Sequence, residues 1–141
     1  MLDRILNPSA VPLLEQAAKF QERRHEVLVG NVANIDTPHY QRRDLDTEAF
    51  ADALKAAIET REATPLRHYG PTPPPVNQQF GDALFVAREP DPVNLTFQDG
   101  SEKSIETEIA ELTRTSLQQR FTIDVMAHQL STLQAVIAES P

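Results

Sequence analysis

A strict heptad pattern near the C-terminus constrains the fold of this chain more than any other feature. Within residues 104–139 one row of positions alternates steps of four and three residues for more than four heptads, without an intervening Gly or Pro. The ten positions are Ile105, Ile109, Leu112, Ser116, Gln119, Ile123, Met126, Leu130, Leu133 and Ile137. A 3.5-residue period is typical of a left-handed coiled coil. We therefore expect the eight apolar members to form a helix-packing seam.

This stretch also leaves alternatives open. A single amphipathic helix on a globular core would place apolar residues on one face, although its stripe would be broader. At 1.5 Å per residue the helix would be roughly 50 Å long, which favours a rod-like object over a compact globule. The two polar seam positions, Ser116 and Gln119, either set the register and the choice of partner or lie at a frayed edge.

The N-terminal part of the chain predicts a partner for this helix. Residues 13–35 carry an apolar stripe at helical spacing, with Ser9 as the expected N-cap and Pro12 in the first turn. Gln21 and Arg24 interrupt the stripe, and such a helix would be marginal in water by itself. We therefore expect the N- and C-terminal helices to pair as an antiparallel or crossing hairpin.

The segment between these helices predicts less regular structure. Residues 48–60 are rich in alanine and place Phe50, Leu54 and Ile58 four residues apart, which favours a short helix. Residues 65–75 contain five prolines and predict an extended linker or an exposed loop.

Two short runs, residues 83–87 and 94–98, predict at most a small β-hairpin. The C-terminal helix then follows, with its N-cap expected at Ser101 or Ser104. The predicted fold class is mainly α, with long terminal helices paired as a coiled-coil hairpin around an irregular, Pro-rich middle. It divides into three parts: residues 1–40, 41–100 and 101–141.

The overall composition argues against several classes of protein. A formal net charge of −8 disfavours binding to nucleic acid. No apolar run approaches the ~20 residues needed to cross a bilayer, so we expect no direct membrane insertion. The N-terminus lacks the basic start and apolar stretch of a cleavable secretory signal. The chain also has no Cys for disulfides or thiolate metal sites.

Candidate chemistry in the sequence is sparse. Glu22 and His25 have the Glu-x-x-His spacing of di-iron helical bundles, but such sites need a second copy that the sequence lacks. We therefore expect no catalytic residues, no cofactor and no metal. The arginine pairs at 23–24 and 42–43 are expected on solvated faces, with carboxylates of neighbouring subunits as the alternative.

The most specific motif in the sequence lies at the end of the first helix, at residues 31–40. Asn34 and Asp36 tolerate the left-handed conformation and can bond to nearby backbone groups, and Pro38 prevents the helix from resuming. An ordinary C-cap explains these residues but not Asn31, whose amide lies one turn earlier near the apolar face and needs partners. The motif consists of Asn31, Ala33, Asn34, Thr37, Pro38 and Tyr40.

This motif resembles the form Asn-x-Ala-Asn-x-x-Thr-x-x-Tyr that ends the N-terminal helix in the rod, hook and related axial proteins of the bacterial flagellum. Residues 24–46, and the segment after Asp99-Gly100, are similar to a short subunit of the proximal rod. His39 departs from the pattern, because it stands where Gly is usual and pays a steric cost at positive φ. The resemblance covers both ends of the chain and leaves residues 60–98 unassigned.

The resemblance implies structural work. Proteins of this family assemble through paired terminal helices into a helical tube that transmits torque. The implied partners are copies of the chain, other rod proteins and the base of the export apparatus, including a FliE-like adaptor. The implied location is the periplasmic rod of the basal body, reached by type III export. Phe50 and Leu54 resemble the Phe-x-x-x-apolar element that the export gate recognises, although any amphipathic helix needs two such residues.

Three other hypotheses remain from the sequence. The chain could be another short rod subunit of the FlgC kind. It could instead be a soluble helical adaptor or export chaperone that binds a partner helix through the C-terminal seam. An enzyme of the helical-bundle kind is the third, and stoichiometric iron or manganese in the purified protein would support it.

Overall fold

The computed structural model describes residues 10–63, 75–89 and 102–138, and it is helical in most of this part of the chain. The helices are α1 (Val11–Ala33), α2 (Thr47–Ala63), α3 (Val76–Gln79) and α4 (Glu102–Ala138), with a 3-10 helix at Asp82–Phe85. With 37 residues, α4 is about 55 Å long. The expected mainly α fold is confirmed for these residues, and so is the short helix expected at 48–60.

The two long helices pack against each other in antiparallel directions. Asn31, near the end of α1, bonds to Glu108 near the start of α4, and His25, earlier in α1, lies 3.3 Å from Ser116 further along α4. Because Asn31 lies level with Glu108, α1 accompanies α4 for only about twenty residues. The last turns of α4 therefore extend past Val11, where α1 begins.

The other side of α1 carries an aromatic core. Phe20 stacks on Phe50 of α2 with ring centroids 3.9 Å apart, and Phe80 lies 5.6 Å from Phe50. The buried members of this cluster are Leu13, Phe20, Leu45, Phe50, Ala57 and Phe80. Thus α1 lies between α4 on one face and the α2 core on the other, which leaves the outer side of α4 uncovered by described residues.

The predicted strand at residues 83–87 is wrong. Residues Asp82–Phe85 form a 3-10 helix, and the consecutive residues Leu84 and Phe85 both pack against the aromatic core. A strand would point consecutive side chains to opposite faces, so it could not bury both. The chain becomes extended only afterwards, where Arg88 and Asp44 exchange two backbone hydrogen bonds of 2.9 Å. Residues 94–98 and the prolines before 75 lie outside the described residues.

The predicted helix starts also need correction. The N-cap of α1 is Ala10 and not Ser9, because the helix begins at Val11 with Pro12 in its first turn. The missing N–H of Pro12 costs nothing there, and the helix starts without a side-chain cap bond. Ser104 lies inside α4, which begins at Glu102. Ser9 and Ser101 themselves lie outside the described residues.

Candidate functional site

Asn31 joins the end of α1 to two other parts of the chain. Its Nδ2 donates to the backbone oxygen of Arg43 (2.7 Å) and to Oε2 of Glu108 (3.1 Å). Its Oδ1 accepts from the Tyr40 hydroxyl and from the Arg43 N–H, both at 3.1 Å. This uses the two donors and both lone pairs of a carboxamide. The buried amide of Asn31 is therefore fully hydrogen-bonded. These contacts explain why the motif contains Asn31, which an ordinary C-cap does not.

Asn34 closes the helix through hydrogen bonds, as the sequence predicts, but its φ of −109° is not left-handed, and neither Asn34 nor Asp36 adopts that conformation. Its N–H donates to the carbonyls of Gly30 and Asn31 at 3.2 Å, and its Nδ2 donates to the Gly30 oxygen at 2.8 Å. Its own carbonyl accepts from the Thr37 N–H at 2.9 Å, and the next turn closes between Tyr40 and Thr37 at 3.1 Å. These turns lead the chain from α1 to Arg43 and hold the Tyr40 hydroxyl over Asn31.

The other motif residues lie on the surface of this exit. Ala33 and Pro38 are exposed, as is His39. His39 has a φ of 63°, in the left-handed region where Gly is tolerated best. The backbone therefore keeps the conformation expected for a Gly at this position, and His39 adopts it at a steric cost.

Glu108 is the buried carboxylate of the site, with 2% of its side chain exposed. It accepts from Asn31 and forms an ion pair with Arg42, which is 40% exposed. The two partners come from different segments, so the carboxylate is fixed in direction as well as in position. The arginine pair at 42–43 is exposed, as expected, but Arg42 also pairs with Glu108 of the same chain and compensates the charge of that buried carboxylate.

Arg24 forms a second polar connection to α4. Its Nε and Nη2 donate to the two carboxylate oxygens of Asp44 at 3.0 Å, and Nη2 also reaches Glu111 at 3.0 Å. Burial lowers the pKa of Arg24, but its hydrogen bond to Asp44 and the charges of Asp44 and Glu111 outweigh this and raise it overall. The solvated-face expectation is therefore wrong for Arg24, whose side chain is 12% exposed, whereas Arg23 lies exposed and pairs with Glu26 at 2.7 Å.

Residues spaced seven apart in α4 line up in columns along the helix, and three adjacent columns matter here. We call them the inner column (Glu108, Thr115, Thr122 and Gln129), the shared column (Ile105, Leu112, Gln119, Met126 and Leu133) and the outer column (Ile109, Ser116, Ile123, Leu130 and Ile137). The inner column is buried or half-buried, and so is the shared column apart from its first residue. The apolar residues of the outer column are all exposed.

The structure thus buries the inner and shared columns, whereas the predicted seam consists of the shared and outer ones. The difference corresponds to a rotation of α4 by about 50°, half the angle between consecutive residues. Ile109 and Ile123 are 49% and 45% exposed, although they fit the predicted seam, and the buried Thr115 and Thr122 lie outside it. In this orientation Glu108 faces Asn31 and Arg42 and bonds to both.

Comparison with known proteins identifies the family. No protein-family model matches the sequence. The chain is 30% identical to the flagellar basal body rod protein FlgB of Escherichia coli (strain K12), with 97% of each chain covered. It is 31% identical to FlgB of Salmonella typhimurium over 97% of both chains. It is 30% identical to FlgB of Cereibacter sphaeroides over 86% of this chain and 88% of that one. The chain belongs to the FlgB family.

Membership of the FlgB family confirms the expected role as a structural rod protein of the flagellar basal body. It also confirms that the chain is not an enzyme, and it supersedes the FlgC, adaptor and helical-bundle hypotheses. Among the described residues no three His, Asp or Glu side chains are arranged to hold a metal ion, and His25 contacts Ser116 instead. No helix in the described ranges has the length and apolar character needed to cross a membrane.

The candidate export element of this FlgB-family chain belongs to the aromatic core. Phe50 is 7% exposed and stacks on Phe20, and Leu54 packs at the edge of the same cluster. Both residues therefore serve the packing of α2, as an amphipathic helix requires. A role in export stays a prediction.

Sequence reasoning missed the polar residues that join α4 to the rest of the chain. The interruption of the α1 stripe by Arg24 was the available signal, because a charged residue inside an apolar stripe needs a partner. Glu108 gave no comparable signal, since acidic residues are common near a helix start. Leu117 and Phe121, one turn apart on the far side of α4, were also missed, and they are 61% and 71% exposed.

Proposed function

We propose that the outer column of α4 is the main surface through which this subunit assembles into the proximal rod. The observation that carries the proposal is the exposure of Ile109, Ile123, Leu130 and Ile137 along one line of α4. This line borders the side that α1 covers, and its polar member Ser116 contacts His25 of α1. Burying such side chains fully is worth about 1.5–3 kcal/mol each. Covering the exposed part of the four would therefore contribute about 4 kcal/mol to each contact.

The distribution of apolar residues around α4 supports assembly into a tube. The outer column faces one neighbour, and the exposed pair formed by Leu117 and Phe121 faces another direction, roughly 100–150° around the helix. Unlike surfaces on one subunit form heterologous contacts, which build an open helical filament when the rotation between subunits does not close a ring. Each α4 would then contact helices on more than one side, and a rod of such subunits could transmit torque.

The partners follow from the same surfaces. We propose that copies of this chain and other rod proteins cover α4, and that a FliE-like adaptor connects the first subunits to the export apparatus. We place the assembled rod in the periplasm, after type III export. Because Phe50 is buried against Phe20, the export apparatus would reach the element at Phe50 and Leu54 only in a chain whose core is open.

The substitution Ile123→Asp tests the proposed surface. It places a charge in the middle of the outer column and should cost several kcal/mol of subunit packing. A matched control is Gln118→Asp, which adds the same charge at an exposed position of α4 away from the column. We expect Ile123→Asp to abolish rod formation in a complemented strain and polymerisation of the purified protein, with the control close to wild type. Normal rods with Ile123→Asp would refute the assignment of this surface.

A further inference from the structure

We propose that Asn31 and Glu108 are positioning residues that set the rotation of α4 about its own axis. Their hydrogen bond decides that the inner column faces α1 and that the apolar residues of the outer column stay exposed to the neighbouring subunits. Only the consequence for rod assembly rests on the proposed function, because the rotation of α4 is a property of the single chain.

Four polar contacts between α4 and other described segments lie near its start. Glu108 bonds to Asn31 and Arg42, Glu111 bonds to Arg24, and Ser116 lies against His25. These α4 residues span little more than two turns of a helix that continues to Ala138. The rotation of the whole helix is therefore fixed from one end, by groups that bond in only one orientation.

The hydrophobic effect alone would favour a different rotation. A turn of about 50° would bring Ile109 and Ile123 toward α1 and expose Thr115 and Thr122. The shared column, with Leu112, can pack in either orientation because it lies between the other two. The predicted seam is this second arrangement, so the sequence pattern and the observed structure describe two packings of the same pair of helices.

The observed packing buries two polar atoms that form no hydrogen bond in the described part of the chain. They are Oγ1 of Thr115 and Oε1 of Gln21. Leaving such atoms unpaired is unfavourable, so the inner column is not chosen for its own packing. The fully satisfied Asn31 amide and the paired Glu108 carboxylate supply what this orientation needs. Without them α4 would rotate so that the apolar residues of the outer column face α1, and these residues would no longer be available to the neighbouring subunits.

Thiol labelling can measure the rotation, because the chain has no Cys of its own. Thr122→Cys and Ile123→Cys place single thiols on consecutive residues, one 6% exposed and the other 45% exposed. In the otherwise unchanged monomer we expect the thiol at 123 to react with a maleimide at least about tenfold faster than that at 122. Adding Asn31→Ala or Glu108→Ala should reduce this ratio to near one or invert it.

Two controls separate rotation from general loosening of the fold. Phe50→Leu destabilises the aromatic core on the other side of α1 and should leave the ratio of the two labelling rates unchanged. Glu108→Gln keeps an acceptor for the Asn31 amide without altering side-chain size and should label closer to wild type than Glu108→Ala. Circular dichroism establishes that α4 remains helical in each variant.

The outcomes distinguish this inference from the proposed function. A wild-type ratio in both Asn31→Ala and Glu108→Ala would overturn the inference, whatever Ile123→Asp does to the rod. A ratio that falls equally in Phe50→Leu and Glu108→Gln would also overturn it, because the effect would then reflect overall stability. A changed ratio confined to the alanine variants, together with normal rods in Ile123→Asp, would support the positioning role and refute only the proposed assembly surface.

Discussion

The Nδ2 of Asn31 donates to the Oε2 of Glu108 across 3.1 Å, and this bond connects residues 77 positions apart in the chain. Both side chains are almost fully buried. Burial of a carboxylate and an amide is tolerated because each is paired several times over, through Tyr40, Arg43 and Arg42. The motif at the end of α1 therefore has two roles in the single chain: it closes α1, and it sets which side of α4 is buried.

Asn34→Pro should prevent rod assembly while the protein is still made. The substitution removes the N–H that bonds to Gly30 and Asn31, and the proline ring clashes with the Gly30 carbonyl, at a cost of about 3 kcal/mol. The control Asn34→Ala keeps this N–H and loses only the side-chain bonds to Gly30 and, at 3.5 Å, Thr37, for about 1 kcal/mol. Motility of a complemented strain and the cellular level of the protein are the measurements. Swimming at the wild-type rate with Asn34→Pro would contradict the structure of the helix exit.

Arg24→Ala should be far more destabilising than Arg23→Ala. Loss of the Arg24 guanidinium leaves Asp44 and Glu111 largely buried without a counter-charge, which we expect to lower the free energy of unfolding by about 2–4 kcal/mol. Arg23 pairs with Glu26 on the surface, where such pairs contribute less than about 1 kcal/mol. Urea unfolding followed by circular dichroism compares the two. Equal effects would mean that the Arg24 contacts do not join the helices.

Substitutions at His39 should depend on tolerance of positive φ. His39→Gly removes the side-chain clash at a φ of 63° and should stabilise the protein by about 0.5–1 kcal/mol. His39→Val introduces a β-branched side chain and should destabilise it by about 1–2 kcal/mol. Thermal unfolding of the three proteins gives the order Gly, His, Val. The reverse order for Gly and Val would rule out the left-handed conformation at this residue.

Thr115→Val should be neutral or stabilising, although Thr115 is completely buried. Its hydroxyl has no hydrogen-bond partner in the described residues, so replacing it with a methyl group should contribute about 0.5–1 kcal/mol. Thr122→Val is the matched comparison, because the Thr122 hydroxyl bonds to the Gln118 carbonyl at 2.9 Å and the substitution removes that bond. Denaturant midpoints measure both, and a large loss of stability in Thr115→Val would indicate a partner for its hydroxyl.

Local patterns predicted the long helices and α2 better than they predicted the helix starts or the segment at Asp82–Phe85. The alanine-rich run around Phe50 was sufficient to predict α2, since propensity and apolar spacing agree there. Residues Asp82–Phe85 resembled a strand by composition, but contact with Phe20 and Phe50 requires Leu84 and Phe85 on the same side. Such a requirement arises from packing against distant residues, so a local window does not contain it.

The sequence by itself determined that α4 is a long helix with heptad spacing, that the chain around Asn34 must leave the helix, and that the ends of the chain resemble flagellar axial proteins. Only the tertiary structure decided which two columns of α4 are buried. The physical reason is that the observed and predicted seams share the same alternation of four and three residues, so periodicity cannot separate them. Hydrogen bonds from Asn31 and Arg42 to Glu108 select between the two, and they join segments that are far apart in the sequence.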